Sequence, residues 1–250
     1  SKVIVFGLNK VAQPIYVWDL FCASKKNILV VTNTLYEANM LYKNLSIYDK
    51  NNILLFPMDD FLVSEAVAVS PDLMSKRIET LNELVKSNIS KIVITNFMGY
   101  LRFLPSKKLW GNLKINIKEK DEINRDSLIQ KLNMIGYKRD SLVTKTGEYA
   151  NRGYILDVFP YGYENPIRIE FFDDEIESIR EFNTDTQLSM KKKESVEICP
   201  FTEFINEKKV EDILERQSLL PRVVKKVSKI EDYLDNNITV YLDLNSIKLA

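Results

Sequence analysis

Four short apolar runs separated by helical patterns constrain the fold of this chain more than any other feature. The runs are residues 3–6, 28–31, 53–56 and 92–94. Continuous apolar runs of this length are typical of parallel strands that are buried on both faces. Ser70 suits the N-cap of the clearest intervening helix, and Pro71 suits its first position. The alternation of strand and helix predicts an α/β layer with right-handed crossovers.

The middle of the chain has a different pattern. Residues 115–117 predict a strand, either Asn124 or Asp126 is a candidate cap for a short helix, and Gly136 is expected to end that helix. Strand-like stretches follow. We therefore expect residues 114–199 to form a β-rich α+β domain that is inserted into the first one.

Helical patterns return after this segment. The first has apolar residues at Val210, Ile213 and Leu214 and is expected to end at Pro221. The second has them at Val223, Val227, Ile230 and Leu234. Asn236 and Asn237 are expected to break the second helix. Residues 238–242 form another apolar run that is expected to rejoin the first sheet. The first domain is thus predicted to be split into residues 1–113 and 200–250.

Two stretches within the inserted segment, residues 152–160 and 167–175, predict two antiparallel strands. In the second stretch Arg168, Glu170 and Phe172 share one face. A large aromatic residue is unusual in a row that otherwise suits solvent. Two interpretations remain open. A helix of the same domain covers Phe172, or the row is a recognition surface for another protein.

The segment that follows this row is predicted to return as a bulged strand. Its apolar residues, Ile176, Ile179 and Phe182, are spaced by three rather than two. The acidic run 173–175 also suggests the metal-holding strand of a nucleotide hydrolase. Such strands are apolar throughout, and the charged residues in the preceding row disfavour this interpretation.

The first strand-to-helix turn bears on whether the chain is an enzyme. A phosphate-binding loop needs Gly-x-x-x-x-Gly-Lys-Ser/Thr for backbone approach, a cation and a magnesium ligand. Here Gly7 matches, but Ala12, Gln13 and Pro14 replace the other three positions, and Lys10 lies on the wrong side of the loop. We expect no catalytic residues and no cofactor. The predicted fold class is α/β: a split, degenerate P-loop NTPase-like parallel-sheet domain with an inserted β-rich α+β domain.

Composition excludes several further functions. Lysine plus arginine and aspartate plus glutamate each number 35, so the basic excess of a dedicated nucleic-acid binder is missing. The basic run 191–193 is interpreted as a solvated turn. The chain has no histidine, and Cys22 and Cys199 are far apart, which disfavours a metal site and a disulfide framework. Without a membrane-spanning run or a signal peptide, a cytoplasmic location is expected.

Residues 147–160, followed by residues 171–176 and 185–187, resemble the bacterial transcription-repair coupling factors (Mfd). The similarity is to the N-terminal region of that family, which is homologous to the excision-repair protein UvrB. It covers nearly the whole chain. The resemblance implies that the inserted domain docks the repair protein UvrA.

The family's UvrA-contacting positions correspond here to Arg152, Arg168 and Phe172, with Glu170 as a weaker addition from the UvrB side. In that family this surface is masked by a C-terminal domain in the resting state. UvrB keeps a working phosphate loop, whereas the coupling factor's copy is degenerate. Residues 59–62 belong to a shared segment whose local roles are turn and cap.

The resemblance also implies properties of the longer protein. ATP and magnesium act in a separate motor domain, RNA polymerase and DNA are bound by other regions, and a monomer is expected. A start at a strand and a stop near Ser246, a candidate helix cap, suggest a fragment of a longer chain. The connection 200–236 departs from the family because it is shorter and lacks an aromatic-rich segment.

Two other functions were weighed against this one. The first is a UvrB-like ATP-dependent helicase or NTPase fragment, which measurable ATP hydrolysis would favour. The second is a module that binds damaged DNA. UvrB does this with a long aromatic β-hairpin, and no such hairpin is recognisable in this sequence.

Overall fold

The structure, a computed structural model of the 250-residue chain, describes residues 1–60, 70–205 and 227–243. Its elements, in chain order, are β1 Lys2–Val5, α1 Ala12–Ser24, β2 Asn27–Thr32, α2 Leu35–Leu45, β3 Ile53–Phe56, α3 Pro71–Lys86, β4 Ile92–Asn96, α4 Phe97–Leu101, β5 Leu104–Pro105, α5 Lys107–Asn112, β6 Ile115–Lys118, α6 Arg125–Met134, β7 Lys138–Arg139, β8 Glu148–Arg152, β9 Ile155–Val158, β10 Ile167–Phe172, β11 Glu175–Phe182, β12 Ser189–Lys193, β13 Ser195–Ile198, β14 Val227–Ser228, a 3₁₀ turn Ile230–Tyr233 and β15 Asn237–Leu242.

The chain divides into two compact units. One combines Ser1–Lys108 with Asp212–Ala250, and the other is Leu109–Glu211. The second unit begins before and ends after the predicted segment 114–199. At its far end Phe201 packs against Tyr137, with ring centroids 5.8 Å apart.

The first unit contains a parallel sheet with the strand order β1-β15-β2-β4-β3. All four pairings are parallel, as the apolar runs predict. The prediction of burial on both faces is wrong for residues 3–6, because β1 is an edge strand whose residues are exposed or half-buried. The expectation that residues 238–242 rejoin this sheet is confirmed, because β15 lies between β1 and β2. Apolar residues of the sheet and of α1 and α2 form one core cluster, which includes Val17, Ile28, Leu41, Ile94 and Val240.

Helices α2 and α3 of this unit begin in different ways. Thr34 accepts a hydrogen bond from the backbone N–H of Glu37 at the start of α2. The predicted start of α3 is confirmed with Pro71 in its first turn, although the Ser70 side chain makes no cap hydrogen bond. Asp60 supports α2 from outside, since its carboxylate accepts the Leu35 N–H at 2.8 and 3.0 Å. A capping role at residues 59–62 is therefore found at Asp60.

The helix predicted from Val223 to Leu234 is wrong where it can be compared with the structure. Val227–Ser228 is strand β14, which pairs with β5, and only one 3₁₀ turn follows. The three-residue spacing of Ile230 and Tyr233 is satisfied by that turn, which buries both side chains. Tyr233 donates a hydrogen bond to the Pro105 carbonyl at 2.7 Å. Tertiary pairing thus overrides the helical pattern.

Asn236 has a positive φ of 50° and directly precedes β15, so it lies in a turn between the 3₁₀ turn and a strand rather than at the end of a helix. Some predicted positions lie outside the described residues and are not compared: Phe61, Leu62, Val210, Ile213, Leu214, Pro221, Val223 and Ser246.

The second unit contains a six-stranded sheet in the order β12-β11-β10-β9-β8-β7, together with the β6–β13 ribbon. The predicted strand at residues 115–117 is confirmed. Of the two candidate caps for α6, Asn124 is the one observed, because its side chain accepts the Ser127 N–H. Gly136 follows the end of this helix with φ of 99°, as expected.

Two strand predictions need correction. Residues 152–160 are not one strand, because Arg152 ends β8 and Gly153, with φ of 60°, opens the two-residue turn to β9. Residues 191–193 are not a turn but part of edge strand β12. Lys192 and Lys193 form ion pairs with Glu119 and Glu181 at 3.0 and 2.7 Å, and lysines are typical of edge strands.

The antiparallel pairing of the two predicted stretches is confirmed, since β9 and β10 are neighbours. The bulged return strand is also confirmed. The β10–β11 register shifts between Glu170 and Phe171, and the β11–β12 register shifts between Arg180 and Phe182.

Candidate protein-docking face

The side chains of β10 alternate between two environments, as predicted. Ile167, Ile169 and Phe171 are buried, whereas Arg168 and Glu170 are partly buried on the opposite side of the sheet and Phe172 is exposed there. We call the latter side the outer face. Antiparallel pairing brings Asp157 of β9 opposite Arg168 and Ile155 opposite Glu170. Ile155 in turn pairs with Arg152 of β8, so the predicted residues lie in adjacent rows on one face.

Phe172 is 70% exposed, so the interpretation in which a helix covers it is wrong. A second large aromatic side chain, Tyr154, is 67% exposed in the β8–β9 turn. The two residues belong to the same end of the sheet, because the N–H of Phe171 donates to the Tyr154 carbonyl at 2.8 Å. Exposed aromatic residues grouped in this way are typical of protein–protein contact sites.

The two turns at this end of the sheet are held by the start of α6. The Arg125 guanidinium donates to the Gly153 carbonyl in the β8–β9 turn. The Ile123 N–H donates to the Asp174 carbonyl in the β10–β11 turn at 2.7 Å. The backbone that carries Tyr154 and Phe172 is therefore fixed by the domain itself.

Arg168 is largely buried, with a side chain that is 12% exposed. Its Nε and Nη2 donate to the two carboxylate oxygens of Asp157 at 2.8 and 2.9 Å, and its Nη1 donates to the Gln187 carbonyl at 3.1 Å. The guanidinium also lies over the Phe182 ring, 4.6 Å from its centroid. The hydrogen bonds that Arg168 donates to Asp157 raise the pKa of Arg168 above its ordinary value, against the opposing effect of burial.

Arg152 has a different environment. Its side chain is 43% exposed, and its Nη2 donates to Asp157 Oδ2 at 2.5 Å. Its other N–H groups have no hydrogen-bond partner among the residues that the structure describes. An arginine has five N–H donors in a planar fork, so Arg152 offers most of its donors to solvent or to another molecule.

Glu170 is half-buried and accepts a hydrogen bond from the Ser178 hydroxyl at 2.6 Å. The structure thus brings all four predicted residues to one face but in two groups. Arg152 and Phe172 are accessible, whereas Arg168 and Glu170 are engaged within the domain.

Sequence reasoning missed two residues of this face, Asp157 and Tyr154. Asp157 lies within the predicted strand 152–160 and is fully buried, where it binds both arginines. The sequence could have indicated the Asp157–Arg168 pair, because an aspartate and an arginine placed opposite each other on paired strands form a favourable cross-strand pair. Tyr154 was read as a strand residue rather than as the second residue of a Gly-x hairpin turn.

The segment that was predicted to be a degenerate phosphate loop, residues 7–14, lies between β1 and the first turn of α1. The Asn9 side-chain oxygen accepts the backbone N–H groups of Val11 and Ala12 at 3.1 and 2.8 Å. Gln13 is buried and donates to Asp243 Oδ2 at 2.7 Å. The backbone N–H groups of Val11 and Ala12 are therefore already bound by Asn9. They lie at the N-terminus of α1, where N–H groups would otherwise bind a phosphate.

The other residues of this segment have different environments. Gly7 has a positive φ of 76° and open space around its Cα, Pro14 is buried, and Lys10 forms an ion pair with Glu37 at 2.9 Å. Elsewhere in residues 1–60, 70–205 and 227–243, no group of three or more His, Cys, Asp or Glu side chains is placed to hold a metal ion. Among the same residues, no helix is both long and apolar enough to cross a membrane.

Parts of the chain are similar in sequence to known proteins. Residues 115–204 match the family described as the UvrB interaction domain. The chain is 32% identical over 206 residues to a transcription-repair-coupling factor of Bacillus subtilis (strain 168), a match covering 82% of this chain and 17% of the relative. Two such proteins of Staphylococcus aureus, from strains bovine RF122 / ET3-1 and USA300, are 35% and 34% identical over the same length, which is 18% of each.

The chain therefore spans less than a fifth of these curated relatives. The described outer face, with Arg152, Asp157, Arg168, Glu170 and Phe172, falls entirely within the matched residues 115–204. The chain is therefore similar to the bacterial transcription-repair-coupling factors over 206 residues, and its residues 115–204 match the UvrB interaction domain.

Proposed function

We propose that this chain is a non-catalytic adaptor module that binds UvrA in transcription-coupled nucleotide excision repair of DNA. One observation carries the proposal. Within a UvrB interaction domain, an exposed Phe172 and a half-exposed Arg152 lie on one sheet face whose turns are held by the domain itself. A preformed surface of this kind loses little conformational entropy on binding.

The side chains of the outer face define the chemistry that the partner must present. The open donors of Arg152 suit a carboxylate, to which arginine binds in a bidentate, charge-assisted manner. Phe172 and Tyr154 suit an apolar pocket beside that carboxylate. Glu170, already bound to Ser178, contributes less.

The proposed role requires no nucleotide, metal or other cofactor in this chain. The parallel sheet is proposed to be a degenerate relative of P-loop NTPases, and the hydrogen bonds of Asn9 and Gln13 in the first loop support this. ATP hydrolysis, and contacts with RNA polymerase and DNA, are assigned to other regions of a full-length protein.

A pull-down with purified components tests the proposal. The tagged chain is expected to retain UvrA without nucleotide or DNA, and Arg152→Ala and Phe172→Ala are each expected to reduce the retained amount. Tyr36→Ala is a matched control, because Tyr36 is an aromatic residue of similar exposure in the other unit. Retention of UvrA that is unchanged in both outer-face variants, or equally reduced in the control, would contradict the proposal.

A further inference from the structure

We infer that Asp157 is the positioning residue of the outer face and that Arg168 acts through Asp157 rather than by touching the partner. This inference rests on the proposed function. It assigns direct contact with UvrA to Arg152 and a supporting role to the second arginine.

The first observation is the geometry around Asp157. Its carboxylate is fully buried and accepts three hydrogen bonds, two from Arg168 and one from Arg152. Because both carboxylate oxygens are bound in this way, the Asp157 side chain is held in one conformation. The Asp157 carboxylate is therefore a fixed point to which one Nη group of Arg152 is tied.

The second observation is the difference between the two arginines. Arg168 is 12% exposed and donates hydrogen bonds to Asp157 and to the Gln187 carbonyl, while its guanidinium lies over the Phe182 ring. Each of its three guanidinium nitrogens thus already donates a hydrogen bond within the domain. Arg152 is 43% exposed and uses one described hydrogen bond. The guanidinium that a partner can reach is therefore that of Arg152.

The third observation concerns charge. One buried carboxylate lies between two guanidinium groups, so the three side chains together carry one net positive charge. The Arg168–Asp157 pair is neutral and desolvated. The remaining positive charge is therefore that of the exposed Arg152, and a partner carboxylate meets it there.

Restraining the fork of Arg152 before binding reduces the conformational entropy lost on binding. Immobilising a rotamer-rich side chain weakens association by about 2-fold to 12-fold, and a side chain that is already held avoids that loss. We therefore expect Asp157→Asn, which keeps the shape but removes the charge, to weaken UvrA binding by about threefold to tenfold.

A double-mutant cycle on the 250-residue chain separates positioning from general damage. Asp157→Asn is measured for UvrA affinity alone and in an Arg152→Ala background. If Asp157 acts through Arg152, its substitution has no further effect once Arg152 is removed. An equal loss of affinity in both backgrounds would overturn the inference.

Arg168→Lys provides a second variant that keeps the positive charge and loses the planar fork. The inference expects its effect also to vanish in the Arg152→Ala background. A persistent effect there would mean that Arg168 touches UvrA directly. This variant also decides the question if Asp157→Asn fails to fold, which thermal unfolding would reveal.

Glu181→Gln is the matched control, because Glu181 is a partly buried carboxylate of the same sheet that is paired with Lys193 instead. It is expected to leave UvrA affinity unchanged. If the wild-type chain does not bind UvrA, the proposed function fails and this inference fails with it. If the wild type binds and the cycle is additive, only the inference fails.

Discussion

Phe171 and Phe172 are neighbours in β10 whose side chains lie on opposite faces of the sheet, so the same substitution at each position separates folding from binding. Phe172→Ala removes an exposed ring, and surface substitutions usually change the free energy of unfolding by less than about 0.5 kcal/mol. Phe171→Ala empties a buried position, and such changes cost about 3–5 kcal/mol of stability.

The binding effect of Phe172→Ala follows from its exposure. A phenylalanine offers about 200 Å² of surface. Since Phe172 is 70% exposed, complete coverage by a partner removes about 140 Å² from water, which at about 25 cal/mol per Å² sets an upper limit of about 3.5 kcal/mol. Interface anchors are typically worth less, so we expect a loss of about 1–3 kcal/mol, or about 5-fold to 150-fold in Kd.

Isothermal titration with UvrA and urea unfolding would measure the two quantities on the same samples. The reasoning predicts that Phe172→Ala binds more weakly with an unchanged urea midpoint, and that Phe171→Ala unfolds at a lower urea concentration. It would be refuted if Phe172→Ala lowered the unfolding midpoint as much as Phe171→Ala does, because the ring would then be part of the core.

Three further predictions concern stability and chemistry. Arg168→Ala leaves the buried carboxylate of Asp157 with one fewer partner and is expected to lower the free energy of unfolding by about 3–5 kcal/mol. Arg152→Ala is expected to lower it by about 0–1 kcal/mol. Urea unfolding would measure both values, and equal values would contradict the different burial of the two arginines. ATP is expected neither to bind nor to be hydrolysed, because the Ala12 N–H is already bound; a measurable turnover rate above that of a mock preparation would contradict this. Burial raises the pKa of the Tyr137 phenol, so its stabilising contribution is full below the unfolded pKa of about 10 and is lost as pH rises above it. Alkaline unfolding curves should therefore flatten in Tyr137→Phe, and an unchanged curve would count against this role.

The parallel sheet could be predicted because its signals are local and redundant. Residues 28–31, 53–56 and 92–94 are apolar throughout, and burial on both faces by helices requires that pattern. The return of β15 to this sheet was also predictable, since an isolated apolar strand needs a neighbouring strand. The helix expected over Val227 failed because a three-residue spacing fits both an α-helix and a short 3₁₀ turn, and pairing with β5 decided between them.

The sequence placed the four predicted residues on one face, but it did not show their contacts or the roles of Asp157 and Tyr154. Alternation along β10 was enough to place Arg168, Glu170 and Phe172 on one face. It could not show that Arg168 is buried, because that depends on Asp157 from another strand and on Gln187 from a distant turn. Contacts of this kind depend on register and on loop conformation, which periodicity within one strand does not encode.

The central claim is that the outer face binds UvrA by means of Arg152 and Phe172. The most direct test is the affinity of the purified chain for UvrA, titrated without nucleotide or DNA, compared with the Arg152→Ala/Phe172→Ala double variant. The account predicts saturable binding by the wild type and a loss of binding in the double variant, whose unfolding midpoint stays close to that of the wild type. Equal affinity of the two proteins, or binding that appears only when ATP is added, would contradict it.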